Sequence, residues 1–164
     1  MPEKDDISFR FDSERNFNFR VGAFIHCENK ILLHRPSSTK FWNLVGGRVK
    51  FQESTLQAIK RELKEELGHE FDAFVLRRVH ENFFVWQGHK ATELLFVYDL
   101  EINSNHPLFK KEQFELDDTE FAWFETDQVT QEKLFCLPKQ IYEMALEKDW
   151  KFIHSEKWEY ERRK

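Results

Sequence analysis

From Phe17 to Cys27 every second residue is apolar: Phe17, Phe19, Val21, Ala23, Ile25 and Cys27. A period of two over that length belongs to a strand with one face turned to a core, and it constrains the fold more than any other stretch. Glu28-Asn29-Lys30 reads as a turn and Ile31 to His34 as a returning strand, so the two runs form a hairpin. A second hairpin is expected around Gln87-Gly88-His89-Lys90, between Phe74 to Trp86 and Glu93 to Ile102. In the latter run Leu94, Phe96, Tyr98, Leu100 and Ile102 share a face. Phe121 to Phe124 gives one more short strand.

Two helices are expected to cover these strands. Ser54-Thr55-Leu56-Gln57 has the form of a capping box, and Gly68 is placed to end the helix that follows. Pro138 sits at the first turn of a second helix over Lys139 to Trp150, with Ile141, Ala145 and Leu146 as its apolar stripe. The charged tail from Lys157 to Lys164 is expected to fray. The predicted class is α/β, a mixed sheet covered by helices.

The chain has 164 residues without internal repeat or linker-like tract, so a single domain over 1–164 is expected. With 40% hydrophobic and 34% charged residues it reads as globular rather than disordered. No apolar run approaches the roughly 20 residues that span a bilayer, and the charged start of the chain does not read as a signal peptide. Cys27 and Cys136 are too few for a disulfide framework and lie in no zinc-ligand spacing. A soluble, cytoplasmic protein with reduced thiols is expected. Thirty acidic against twenty-five basic residues give a net charge of -5, which argues against nucleic acid as a partner. The 18 Phe, 5 Trp and 3 Tyr read as core, with one or two left to stack on a planar ligand.

Chemistry concentrates on the first helix. At 100° per residue Leu56, Ile59, Leu63 and Leu67 form a stripe toward the sheet, while Glu62, Glu65 and Glu66 gather beside it. Glu62 and Glu66 are i,i+4 neighbours of like charge, and Glu65 and Glu66 lie near the helix C-terminus, where negative charge is disfavoured. A hard divalent cation, Mg²⁺ or Mn²⁺, resolves that conflict with an all-oxygen site. A merely solvated acidic face is the competing reading.

The spacing favours the first. Gly47, five residues, Glu53, seven residues and then Arg61-Glu62-Leu63-Lys64-Glu65-Glu66-Leu67-Gly68-His69 resembles the signature of the Nudix (MutT-like) hydrolase family. Every specified position of that box, 47–69, matches except the last, where His69 replaces an aliphatic residue. The resemblance implies an alpha/beta/alpha sandwich with a mixed sheet, and hydrolysis of the diphosphate bond in a nucleoside diphosphate linked to another group. It also implies that Glu62, Glu65 and Glu66 hold the metal, with the carbonyl of Gly46 as a further ligand. Arg61 and Glu53 would pair to fix the loop against the helix, and Glu62 or Glu65 would take the proton of the attacking water. A late acidic loop (Glu112, Glu115, Asp117, Asp118, Glu120) is where another metal ligand is expected, Asp118 being the choice, with Glu93 a further candidate. Arg35, Arg48 and Lys50 are candidates for the outer phosphates. Asn43, after Trp42, could read a base edge through its amide.

Nucleoside triphosphates, ADP-ribose and nucleotide sugars all remain open as substrates. The partners implied are a small-molecule nucleotide and, as self-association, a homodimer, with no nucleic acid and no membrane. The alternative function is a nucleotide-sensing or regulatory module of the same fold without turnover.

Overall fold

The computed structural model describes residues 3–130, 134, 136, 139–146 and 152–159. In chain order the elements are β1 (Ser8–Arg10), β2 (Arg15–Cys27), β3 (Lys30–Pro36), β4 (Val45–Arg48), α1 (Thr55–Leu67), β5 (Phe74–Trp86), β6 (His89–Glu101), a 3-10 turn (Pro107–Lys110), β7 (Gln113–Leu116), β8 (Thr119–Glu125), α2 (Thr126–Thr130), α3 (Gln140–Leu146) and β9 (Ile153–Glu159). The strands form one sheet in the order β7-β8-β3-β2-β6-β5-β9, with β1 and β4 also paired to β2. It is a mixed sheet: β2–β6 and β5–β9 run parallel, the other pairs antiparallel.

Both expected hairpins are present. Cys27 pairs with Lys30 and Trp86 with His89, leaving two-residue turns. At the second, Gln87 and Gly88 both take positive φ, the geometry whose twist matches the flanking strands. A two-residue turn lets β6 begin at His89, earlier than the Glu93 start expected from apolar alternation.

Cores lie on both faces of the sheet. Val21, Ala23, Ile25, Leu32, Tyr98 and Leu100 pack with Ala58, Ile59, Leu63 and Leu67 of α1. On the opposite face Phe24, Leu33, Leu95 and Val97 pack with Val129 of α2 and with Ile141 and Met144 of α3. Residues Val21 through Ile25 are therefore all buried, although their alternation predicted only one covered face.

Three expectations need correction. Leu56 is exposed and Ala58 takes its place in the buried stripe of α1, since Leu56 lies in the first turn, outside the contact with the sheet. In α3 the stripe is Ile141, Met144 and Ala145, with Leu146 facing solvent. The described helix there covers Gln140–Leu146, and Pro138 and the stretch 147–150 lie outside the described residues. The tail expected to fray from Lys157 is, up to Glu159, part of β9, which pairs with β5 from Arg78↔Ile153 to Phe84↔Glu159. The rest of that tail, 160–164, is outside the described residues. No helix among the described residues is long and apolar enough to cross a membrane.

Candidate active site

The capping box anticipated at Ser54 is formed. Ser54 Oγ accepts from the Gln57 N–H at 3.1 Å and Gln57 Oε1 from the Ser54 N–H at 2.9 Å. Gly68, at φ 73°, ends α1 in the left-handed conformation that glycine adopts without a side-chain clash, its N–H bonded to the Lys64 carbonyl at 3.0 Å. With Ile59, Leu63 and Leu67 anchored in the core, Glu62, Glu65 and Glu66 are carried along β4.

The contact with β4 depends on the glycine pair. A Cβ on Gly47 would lie 2.3 Å from Cδ of Glu62, and one on Gly46 would lie 2.1 Å from the Val21 carbonyl oxygen. The missing side chain of Gly47 makes room for the Glu62 carboxylate. The missing side chain of Gly46 lets β4 pair with β2 through Gly22↔Gly46 and Val21↔Gly47.

Arg61 organises the near side of this cluster. Its guanidinium donates to both oxygens of Glu53, at 2.6 and 3.0 Å, to Glu62 Oε1 at 2.9 Å, to Glu65 Oε2 at 3.3 Å and to the Arg48 carbonyl at 3.0 Å. Glu53 Oε2 also accepts from the Lys50 N–H at 2.9 Å, so one ion pair ties the loop after β4 to the helix. Burial raises the Glu53 carboxyl, but the Arg61 and Lys50 hydrogen bonds outweigh it and hold Glu53 below the usual carboxylate range.

The far side is less satisfied. Burial pushes the Glu66 carboxyl up to about 8, with the charges of Glu62 and Glu65 adding to it. Burial likewise raises Glu62, against the opposing pull of Arg61. Glu66 Oε2 is buried without a hydrogen-bond partner, and so is His34 Nδ1, 3.8 Å away. These two do not form an ion pair at neutral pH, because burial holds His34 neutral, its pKa pushed down to about 4. Glu65 is the open member, with a side chain 55% exposed against 14% for Glu62.

The remaining candidates are spread out. Lys50 Nζ is bound to Glu3 at 2.7 Å. Arg48 lies 4.0 Å from Asp6. Arg35 forks onto Glu120 at 2.6 and 3.1 Å and covers the Trp42 ring at 4.6 Å. Asn43 turns its side-chain oxygen back to the Leu44 N–H at 2.7 Å while its backbone pairs with His34. Asp118 is not brought to the helix carboxylates. It forms, with Asp117, the positive-φ turn between β7 and β8, beside a cleft of 560 Å³ that Arg35, Lys40 and Glu120 also line. Among the described residues no three His, Cys, Asp or Glu side chains converge as a ready-made metal cage.

Glu93 reaches the neighbourhood of the helix carboxylates through Arg20, which lies between it and them. It is buried on β6, accepting from Asn82 at 3.2 Å, with Arg20 at 3.9 Å. His69 finds ring neighbours, His106 at 4.9 Å and Phe71 at 6.2 Å, so a packed ring cluster stands where the family has an aliphatic side chain. Sequence reasoning missed His34 and Arg20. Both lie on strands that the alternation located, but only the strand register brings them to the site.

A NUDIX domain family model matches residues 17–144. A CTP pyrophosphohydrolase of Escherichia coli is 46% identical over 54 residues, 30% of this chain and 40% of that protein. The chain thus matches less than half the length of that curated relative. Among solved structures, a MutT protein from Bacillus halodurans has a TM-score of 0.66 at 16% identity, covering 86% of this chain and 89% of that one. One from Methanosarcina mazei has a TM-score of 0.55 at 19% identity, covering 81% and 94%. At such identities the likeness is one of fold, and it agrees with the mixed sheet and the helix placed on it. With the family model spanning β2 through α3 and including the whole glutamate helix, this chain belongs to the NUDIX domain family.

Proposed function

We propose that this chain is a divalent-cation-dependent hydrolase of nucleotide diphosphate bonds, acting as one domain over its length. One observation carries the reading: the buried, unpartnered Oε2 of Glu66, in a carboxyl raised by burial and by the neighbouring Glu62. A sequence selected only for a stable helix would not bury like charges there. A cation removes the penalty.

The residues fit a hard metal. Glu62, Glu65 and Glu66 with the Gly46 carbonyl offer only oxygen donors, which suits Mg²⁺ or Mn²⁺. When bound, such an ion supplies charge stabilisation on the phosphate oxygens and an acidified water. The chain's own groups do the rest. The pairing of Arg61 with Glu53 keeps the loop and helix in register, so the carboxylates are held before substrate arrives. Glu65, exposed and, among the described residues, held through Arg61, accepts the proton, as can the second oxygen of Glu62. This reading builds the metal set on the helix alone and leaves out Asp118, a residue of the β7–β8 turn, and Glu93, which faces Arg20.

For the substrate we infer a nucleoside triphosphate. The support is the relative named a CTP pyrophosphohydrolase, whose identity to this chain is high over the matched segment. Asn43 stands beside His34 at the rim of the carboxylate cluster, and its amide could turn to a base edge.

The test is a screen of nucleoside triphosphates, ADP-ribose and nucleotide sugars with Mg²⁺, reading released phosphate through a coupled phosphatase. CTP or another triphosphate should turn over, and EDTA should abolish the signal. Full turnover in excess chelator would sink the metal reading. Nucleotide binding without release from any compound would favour the sensing module.

A further inference from the structure

The sheet register brings together two arginines. Arg20 on β2 is the cross-strand partner of Arg48 on β4. Directly opposed residues of an antiparallel pair share a face with Cβ atoms about 5 Å apart, and like charges there are destabilising. Neither guanidinium makes a side-chain hydrogen bond among the described residues. Each has a carboxylate only at the outer limit of pairing, Glu93 at 3.9 Å from Arg20 and Asp6 at 4.0 Å from Arg48. Both side chains are 34% exposed, so an anion from solvent can reach them. By contrast Arg35, Lys50 and Arg61 are tied at 2.6 to 2.7 Å to Glu120, Glu3 and Glu53.

Arg20 is also directed. Glu93 accepts from Asn82 Nδ2 at 3.2 Å, and Asn82 Oδ1 accepts from Gln140 Nε2 at 2.6 Å. All three residues are buried, so the carboxylate that faces Arg20 is fixed from β5 and α3. From β2 the Arg20 charge acts on both Glu62 and Glu66, which places it beside the carboxylate cluster.

We propose that Arg20 and Arg48 form a two-guanidinium clamp for the substrate's diphosphate, with Glu93 as the residue that positions Arg20. The clamp rests on the hydrolase reading above and adds a binding residue to it. A bridging phosphate relieves the arginine–arginine repulsion and supplies the forked, charge-assisted hydrogen bonds that neither side chain has within the chain.

The experiment is calorimetric titration with inorganic pyrophosphate in Mg²⁺ at low and high salt, beside steady-state kinetics with CTP. Wild type, Arg20→Ala and Arg20→Lys are compared. Losing one charge-assisted contact should weaken pyrophosphate binding about 10-fold or more in Arg20→Ala, with a shallower salt dependence. Arg20→Lys, which keeps the charge but loses the fork, should fall between. KM should rise in parallel and kcat should fall as well, because the clamped diphosphate is the reacting group, and Arg20→Lys should restore part of both, a rescue that a merely structural role would not give. Thermal unfolding checks that each variant is folded, and Arg20→Gln replaces Arg20→Ala if the latter is not. A folded Arg20 variant that lacks the charge yet binds pyrophosphate as wild type does overturns the clamp, whether or not the enzyme turns over. A wild type that binds pyrophosphate through Arg20 but hydrolyses no nucleotide overturns the hydrolase reading and leaves the clamp standing.

Discussion

Arg61 and Glu53 meet as a fork: Nε and Nη2 of the guanidinium reach the two carboxylate oxygens at 2.6 and 3.0 Å. Glu53 belongs to the loop after β4 and Arg61 to the second turn of α1, so the pair is a brace between two elements. A brace and a reacting group respond differently to the same change. Glu53→Gln loses one arm of the fork and leaves half-buried Arg61 short of charge, so stability should drop by about 1–3 kcal/mol. Its kcat at saturating Mg²⁺ should nevertheless fall less than that of Glu66→Gln. Equal loss of kcat in the two variants would give Glu53 a chemical role.

Glu66→Gln should separate stability from activity. It removes a buried carboxyl whose Oε2 has no partner and whose ionisation is opposed by burial and by Glu62 beside it. In EDTA the variant should melt at the wild-type temperature or slightly above it, since a repulsion worth a few tenths of a kcal/mol is relieved. In Mg²⁺ its turnover should fall on the order of 10² or more, as metal-assisted stabilisation lowers a barrier by several kcal/mol. A variant that is less stable in EDTA and hydrolyses normally would make Glu66 structural.

The metal-free protein should lose stability as pH rises. Glu66 has a folded pKa of about 8 against an ordinary 4.5, so its contribution is fully present below 4.5 and is lost as pH climbs through 8. His34 works from the other side. Its folded pKa of about 4 lies below the ordinary 6.5 of a histidine, so its contribution is present above 6.5 and lost as pH falls toward 4. In EDTA the melting temperature should therefore peak in the mildly acidic range and decline toward pH 8. Adding Mg²⁺ should remove the alkaline decline, because the cation favours the ionised carboxylate. A flat melting temperature from pH 5 to 8 in EDTA would contradict this picture of Glu66.

The two glycines of β4 should fail in different ways. The Cβ of Gly46→Ala meets the backbone carbonyl of Val21, which cannot move without breaking the β2–β4 ladder. That variant should be destabilised by several kcal/mol or not fold. The Cβ of Gly47→Ala meets the carboxylate of Glu62, the far end of a side chain that can swing away. That variant should keep most of its stability and lose most of its turnover. Thermal melts beside kcat for both variants check the contrast, and equal stability loss would remove it.

Local signals in the sequence were readable where one element explains itself. The alternation from Phe17 located β2, and Ser54, Gln57 and Gly68 bounded α1 to within a residue. What depended on distant partners was not readable. β4 contains Gly46 and Gly47, poor strand formers, and exists because β2 pairs with it. β9 alternates Ile153 and Ser155 with charged or polar neighbours and is held by parallel pairing to β5, far away in the chain. Helical periodicity alone gathered Glu62, Glu65 and Glu66. The facing of His34 to Glu66 and of Arg20 to Arg48 needed the register of three strands, which no spacing in the sequence encodes. Asp118 attracted notice as an acid, yet its position is that of a turn residue, a role aspartate fills because it tolerates positive φ.

The pairing of β9 with β5 reaches beyond the active site. Trp158 stacks on Phe83 with ring centroids 3.9 Å apart, so this last strand shields both the backbone and an aromatic face of β5. Without it, the stretch Arg78–Phe84 would present a row of free amide and carbonyl groups, the template on which a second chain adds its own strand. A chain cut before Ile153 keeps the whole glutamate helix but gains an adhesive border. At this margin the border of the sheet is set by β9, the outermost strand of the order, and its loss would hand that border to β5.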